Sequence, residues 1–226
     1  MTPSARPGVL FDVDGTLLDT NYLHVLAWWQ AFRDTGHTDV SMADCHRSIG
    51  IASAELVGHL LGDDVPGTDE VVEAHSRRYE ALRDQVVAFP RVAELLSACE
   101  ERGLAVVLAT SGAESDLEWM QPAIGAGDAV AGATTSADVT SAKPAPDLLQ
   151  TAAADHGLDP ARTVAVGDTV WDVRSAKDAG LPCIAVTCGG IGRGELVEAG
   201  ADEVYADPAD LLAHLDDSLL GRVARG

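Results

Sequence analysis

The sequence predicts an α/β protein built on a doubly wound, mostly parallel sheet, with an all-helical segment inserted after the first strand. Three observations carry that reading. Short β-branched apolar runs alternate with longer stretches of three- and four-residue apolar spacing, the signature of βαβ units. Acidic and glycine-containing turns stand directly after several of those runs, where the carboxyl ends of parallel strands gather and ligands bind. The interval between the first two apolar runs breaks the rhythm and reads as helices only.

In chain order, strands are expected at Val9–Val13, Leu104–Ala109, Ala129–Thr134, Thr163–Val166, Cys183–Val186 and Glu203–Tyr205. Helices are expected at Arg91–Arg102, Glu114–Gln121, Ala145–His156 and Trp171–Ala179, with a short one near Gly194–Ala199 and a last one over Ala209–Leu219. Between the first two strands, Asn21–Thr35, Ala52–Leu61 and Asp69–Val87 carry helical spacing, broken by Gly36, Gly62 and Pro66-Gly67. This implies a core formed by residues 1–18 and 89–226, interrupted by a helical cap at 19–88. No internal repeat, heptad register or low-complexity tract is visible.

Composition narrows the function. A chain of 226 residues, 46% hydrophobic, can bury a full core. Its 36 acidic residues against 15 basic ones, a net charge of −21, exclude nucleic acid and anionic membranes as partners, because both require a basic surface that displaces counterions. The four cysteines show no C-x-x-C spacing, and three lie in apolar stretches, which fits a reduced, cytoplasmic protein. The apolar run ending at Asp12 is too short for a secretion signal, and no run approaches the roughly 20 apolar residues that span a bilayer. Lysine is scarce: only Lys143 and Lys177 occur.

Four segments carry chemistry. Asp12-Val13-Asp14-Gly15-Thr16 follows the first strand and sets two carboxylates two residues apart, which suits metal binding or acid/base work. An ordinary Asp-Gly turn is the plain alternative. Gly167-Asp168-Thr169-Val170-Trp171-Asp172 follows the fourth strand, and a helix starting there brings Asp172 to the side of Asp168. Helix capping by Asp168 or Thr169 explains one of those carboxylates but not the convergence of two acidic pairs at one sheet edge, which points to a hard divalent cation such as Mg2+. Thr110-Ser111-Gly112 follows the second strand and offers hydroxyls and backbone N–H groups to phosphate oxygens, or else caps the next helix. Lys143 is braced by prolines at a helix entrance, more than a flexible surface lysine needs; a surface lysine at a turn is the plain alternative, which lysine scarcity weakens.

In this order and after these strands, the four segments resemble the haloacid dehalogenase-like hydrolase superfamily, over essentially the whole chain. The nearest pattern is that of its phosphoglycolate phosphatase and β-phosphoglucomutase subgroup, which carries a helical cap on a Rossmann-like core. The resemblance implies a phosphoaspartyl mechanism, with Asp12 as nucleophile and Asp14 as general acid, then base. It implies Mg2+ held by the Asp12 carboxylate, the Asp14 backbone carbonyl and Asp168, with Asp172 supporting from behind. Thr110, with Ser111 beside it, and Lys143 would clamp the transferring phosphoryl group. The family's dehalogenating members carry a non-acidic residue where Asp14 stands, so dehalogenation is not expected.

The expected substrate is a small phosphorylated metabolite of the phosphoglycolate or sugar phosphate kind, taken by a monomer or homodimer. Cap candidates for substrate contact are His24 and Arg47, the latter reaching a substrate anion or lying solvated. Trp28-Trp29 is read as cap packing. Cys188–Gly194 only faintly suggests a dinucleotide loop and is read as a mobile connection. Two other functions remain open: a phosphosugar mutase, since β-phosphoglucomutases also carry a histidine in the His24 region, and a non-catalytic phosphate- or metal-binding module resembling receiver domains.

Overall fold

The structure is a computed structural model that describes residues 5–63, 65–139, 143 and 145–226. Six strands form one sheet: β1 (Arg6–Phe11), β2 (Ala105–Ala109), β3 (Val130–Thr134), β4 (Leu158–Gly167), β5 (Cys183–Val186) and β6 (Glu203–Tyr205). They lie in the order β3-β2-β1-β4-β5-β6, every neighbouring pair parallel. That is the Rossmann-like doubly wound order, with β1 in the middle, where the winding direction reverses.

The strands show why both faces are covered. Along β1, Val9 and Phe11 point into one core while Leu10 points into the other, and β2, β4 and β5 alternate in the same way. The first face receives α5 (Val92–Glu101), α6 (Glu114–Ile124), α10 (Pro208–Ala213) and α11 (Leu219–Arg225). The second receives α7 (Asp147–Asp155), α8 (Val170–Asp178) and α9 (Arg193–Ala199). Each fully buried Leu, Val or Phe here contributes about 1.5–3 kcal/mol.

The inserted segment holds α1 (Asn21–Asp34), α2 (Met42–Ser48), α3 (Ser53–Leu61) and α4 (Thr68–Glu80). They pack on a core of their own through Val25, Trp28, Phe32, Cys45, Leu56 and Val71. The chain leaves and re-enters the sheet region at adjacent points. Leu18 and Ala88 form an antiparallel bridge, flanked by Asp19 N–H donating to Val87 C=O at 2.9 Å and Phe89 N–H donating to Leu17 C=O at 2.9 Å.

Several elements differ from expectation. β1 ends at Phe11, which leaves Asp12 just beyond the strand. β4 starts five residues early at Leu158, with a register shift opposite Arg6–Gly8. Helix α4 stops at Glu80 and a 3-10 turn at Arg83–Gln85 follows, instead of one helix to Val87. The last helix is two, broken where Ser218 caps α11 by accepting from Gly221 N–H. Helix α2 was not expected at all.

Candidate active site

The four predicted segments meet at the carboxyl edge of the sheet, next to the insertion. After β1, Gly15 takes φ +78°, and a Cβ there would lie 2.5 Å from an Asp168 carboxylate oxygen, so only glycine lets the first acidic turn close against the fourth strand's loop. Asp168 itself is fully buried, accepting from Thr16 Oγ1 at 3.1 Å and Asn21 Nδ2 at 2.7 Å.

Lys143 is also buried, at 1% exposure, which removes the reading of it as a surface lysine. Its Nζ lies 2.5 Å from Asp12 Oδ1 and 2.7 Å from Asp172 Oδ1. Burial alone opposes its charge, but the two carboxylates outweigh that and hold its pKa above the ordinary lysine value. Asp172 has a second duty. Its other oxygen accepts from Thr169 N–H at 3.0 Å, while Thr169 Oγ1 accepts from Asp172 N–H, a capping box that starts α8. Capping and active-site placement are therefore one arrangement.

Asp14 is held from the insertion side. Thr20 Oγ1 donates to its Oδ1 at 2.6 Å, and His24 Nε2 lies 3.2 Å from the same oxygen. Burial pushes the Asp14 carboxyl upward, yet His24 and Thr20 together leave it below its ordinary value. Behind His24 stands His75 on α4, Nε2 to Nδ1 at 3.1 Å, stacked on Trp28 with ring centroids 3.8 Å apart. Burial, with His24 beside it, holds the His75 pKa well below 6.5.

Between these groups lies a cavity of about 60 Å3, lined on the sheet side by Asp12, Asp14, Thr110, Ser111 and Gly112. On the insertion side it is lined by His24, Trp28, Ile49, Ile51, Leu56 and His75, with Ser53 at its border. Thr110 and Ser111 do not cap α6, whose N-cap is Ala113 without a side-chain bond. Instead Thr110 Oγ1 accepts from Gly112 N–H at 2.9 Å, and Ser111 Oγ donates across to Gly50 C=O at 3.1 Å.

A match to the family model described as haloacid dehalogenase-like hydrolase covers residues 7–180. The chain belongs to the haloacid dehalogenase-like hydrolases. It is 34% identical to the probable phosphatase IndB of Dickeya dadantii (strain 3937), over 89% of this chain and 90% of that protein. A hydrolase from Pseudomonas syringae superposes with a TM-score of 0.88 at 33% identity, covering 94% of this chain and 99% of that one. A variant of CbbY from Rhodobacter sphaeroides, in complex with xylulose-1,5-bisphosphate, superposes with a TM-score of 0.76 at 27% identity, covering 91% and 96%.

The donor set of this haloacid dehalogenase-like site fits a cation. Asp12, Asp168 and Asp172 each offer a carboxylate oxygen, all within 4.8 Å of one another and buried. Burial pushes the Asp12 carboxyl up to about 7, Lys143 offsetting it only in part against Asp172 and Asp14. Asp168 is pushed well above the carboxylate range by burial, then by Asp172 and Asp12. One lysine does not neutralise three buried carboxylates, and all-oxygen donors suit a hard divalent ion. The Asp172 carboxylate, expected behind the metal, groups with those of Asp12 and Asp168.

Arg47 is not brought to the cavity. Its guanidinium pairs with Glu195 at the surface and its backbone carbonyl accepts from Trp171 Nε1 at 2.9 Å. The glycine loop after β5 is no loose connection either: Gly189 presses so closely on Asp168 that a Cβ would lie 1.7 Å from its carboxylate, and its carbonyl accepts from Asn21 Nδ2 at 3.0 Å, with His46 Nε2 also 3.0 Å away. Trp28 packs as expected but also borders the cavity. Asn21, Thr20 and His75 were missed, because single polar residues on a helical pattern carry no spacing signal.

Proposed function

We propose that this phosphoric monoester hydrolase is a Mg2+-dependent phosphatase of a small phosphorylated metabolite, working through an aspartyl-phosphate intermediate. The observation that carries it is the buried Lys143 between Asp12 and Asp172, directly behind a cavity that Asp12, Asp14 and Thr110 line.

In this reading Asp12 is the nucleophile, and Lys143 favours its ionised form against burial and orients it towards the cavity. Asp14, anchored by Thr20 and His24 through one oxygen, protonates the departing alcohol and afterwards takes the proton from water. Thr110 and backbone N–H groups near Gly112 hold phosphoryl oxygens, and Lys143 balances their charge. Asp12, Asp168 and the Asp14 carbonyl would hold Mg2+, with Asp172 behind, and the bound ion would supply charge neutralisation at the phosphoryl oxygens. Thr16 and Asn21 fix the Asp168 carboxylate. The proposed division of labour places residues 1–18 and 89–226 as the catalytic core and 19–88 as a cap that closes over the substrate, with the Leu18–Ala88 bridge between them.

Asp12→Asn and Lys143→Ala test this with p-nitrophenyl phosphate and Mg2+. Each is expected to lower turnover by about 1,000-fold or more, and an undiminished rate for Asp12→Asn would sink the assignment. Release of inorganic phosphate from a sugar phosphate, rather than its migration within the sugar, separates hydrolysis from phosphosugar mutation.

A further inference from the structure

The cavity's lining and the placement of the chain's cations bear on which esters it can take. All fifteen Lys and Arg residues are among the described ones, and no Lys or Arg lines the cavity. Lys143 stands behind Asp12 and is already shared by two carboxylates. The arginines of the insertion nearest in sequence to its lining residues are committed elsewhere: Arg47 pairs with Glu195, Arg77 lies 3.8 Å from Glu73, Arg78 pairs with Asp34 and Arg33 lies over the Trp29 ring. On the sheet side, Arg174 lies over Trp171 and Lys177 pairs with Asp202.

The two histidines of the lining do not fill the gap. His24 faces Asp14, and His75 is buried against Trp28 and neutral. The first turn of α3, which borders the cavity at Ser53, carries an acid of its own, Glu55. What the insertion offers a leaving group is apolar surface from Ile49, Ile51, Leu56 and Trp28, plus the Ser53 hydroxyl and the His75 ring, with His24 already engaged by Asp14. A second anion on the substrate would meet no counter-charge there, in a protein of net charge −21.

We propose that the site selects phosphate monoesters whose leaving alcohol is uncharged and rejects esters that carry a carboxylate or a second phosphate. This rests on the phosphatase reading above and narrows its substrate class, away from phosphoglycolate-type acids and bisphosphates. Substrate selection is thus set by the cavity side that the insertion supplies.

The test compares glycerol 3-phosphate with 3-phosphoglycerate, which share a carbon skeleton and differ in one carboxylate, with p-nitrophenyl phosphate as reference. The expected result is a kcat/KM at least about tenfold higher for glycerol 3-phosphate, with the gap shrinking as salt is raised because it originates in charge. 3-Phosphoglycerate should also inhibit aryl phosphate turnover more weakly than glycerol 3-phosphate does. The half-buried Ser53 allows a converse experiment: Ser53→Arg is expected to narrow the gap by raising the 3-phosphoglycerate rate. Equal or better turnover of 3-phosphoglycerate, with aryl phosphate hydrolysed normally, overturns the selection rule and leaves the phosphatase reading intact. Absence of hydrolysis of every ester with Mg2+ present overturns both.

Discussion

His75 shows how much one residue can matter without touching the reacting atoms. Its ring stacks on Trp28 and its Nε2 lies 3.1 Å from His24 Nδ1, while His24 Nε2 reaches Asp14. Buried against Trp28 and beside His24, the His75 ring has no carboxylate partner to stabilise a positive charge, so the neutral form is favoured. Its pKa, held well below 6.5 by burial, agrees. The unfolded chain therefore binds a proton that the folded one refuses once pH falls below about 6.5, and stability is lost in that direction, at about 1.4 kcal/mol per unit by which the two pKa values differ. Replacing His75 by Phe keeps an aromatic on Trp28 and removes the titration. Urea denaturation at pH 5 and pH 7.5 should show wild type losing more stability than His75→Phe on acidification; equal losses would refute the assignment of a neutral His75.

At the scale of elements, two capping boxes built from the same residue pattern have different consequences. Ser41 and Asp44 start α2, and Thr169 and Asp172 start α8. Ser41→Ala should cost about 1 kcal/mol of stability and leave turnover unchanged, whereas Thr169→Ala should cost a similar amount and also lower kcat, because Asp172 then loses the partner that aims it at Lys143. Thermal unfolding and steady-state kinetics on the two variants separate these effects. The Ser41 box was a signal in the sequence, and it would have found α2, which is too short and polar to show helical periodicity. The sheet and the segments after β1, β2 and β4 were legible because strands have a strict apolar signature and carboxyl-edge turns have a strict residue chemistry. Arg47 was not, since its partner Glu195 lies 148 residues away and nothing local encodes that pairing.

For the whole molecule, the concentration of acid at one edge is expected to make stability depend on a cation. Asp12 and Asp168 have carboxyl pKa values raised above 3.8 by burial, so the cation-free folded state keeps protons that the unfolded chain releases. That contribution is full below about 3.8 and is lost as pH rises through about 7 for Asp12. Mg2+ at a hundred times its Kd adds about 2.7 kcal/mol, a rise of about 5–10 °C in Tm for a chain of this size. The increment should be larger at pH 7.5 than at pH 5.5, where protons compete, and Asp168→Asn should abolish it; a Tm indifferent to Mg2+ and to chelator would contradict the cation site. The burial of Lys143 has a practical corollary for handling the protein. Of its two lysine side chains only Lys177, 38% exposed, is open to amine-reactive reagents, so coupling through a lysine side chain attaches a label or a solid support at a single defined point on α8 and leaves the buried Lys143 amine untouched.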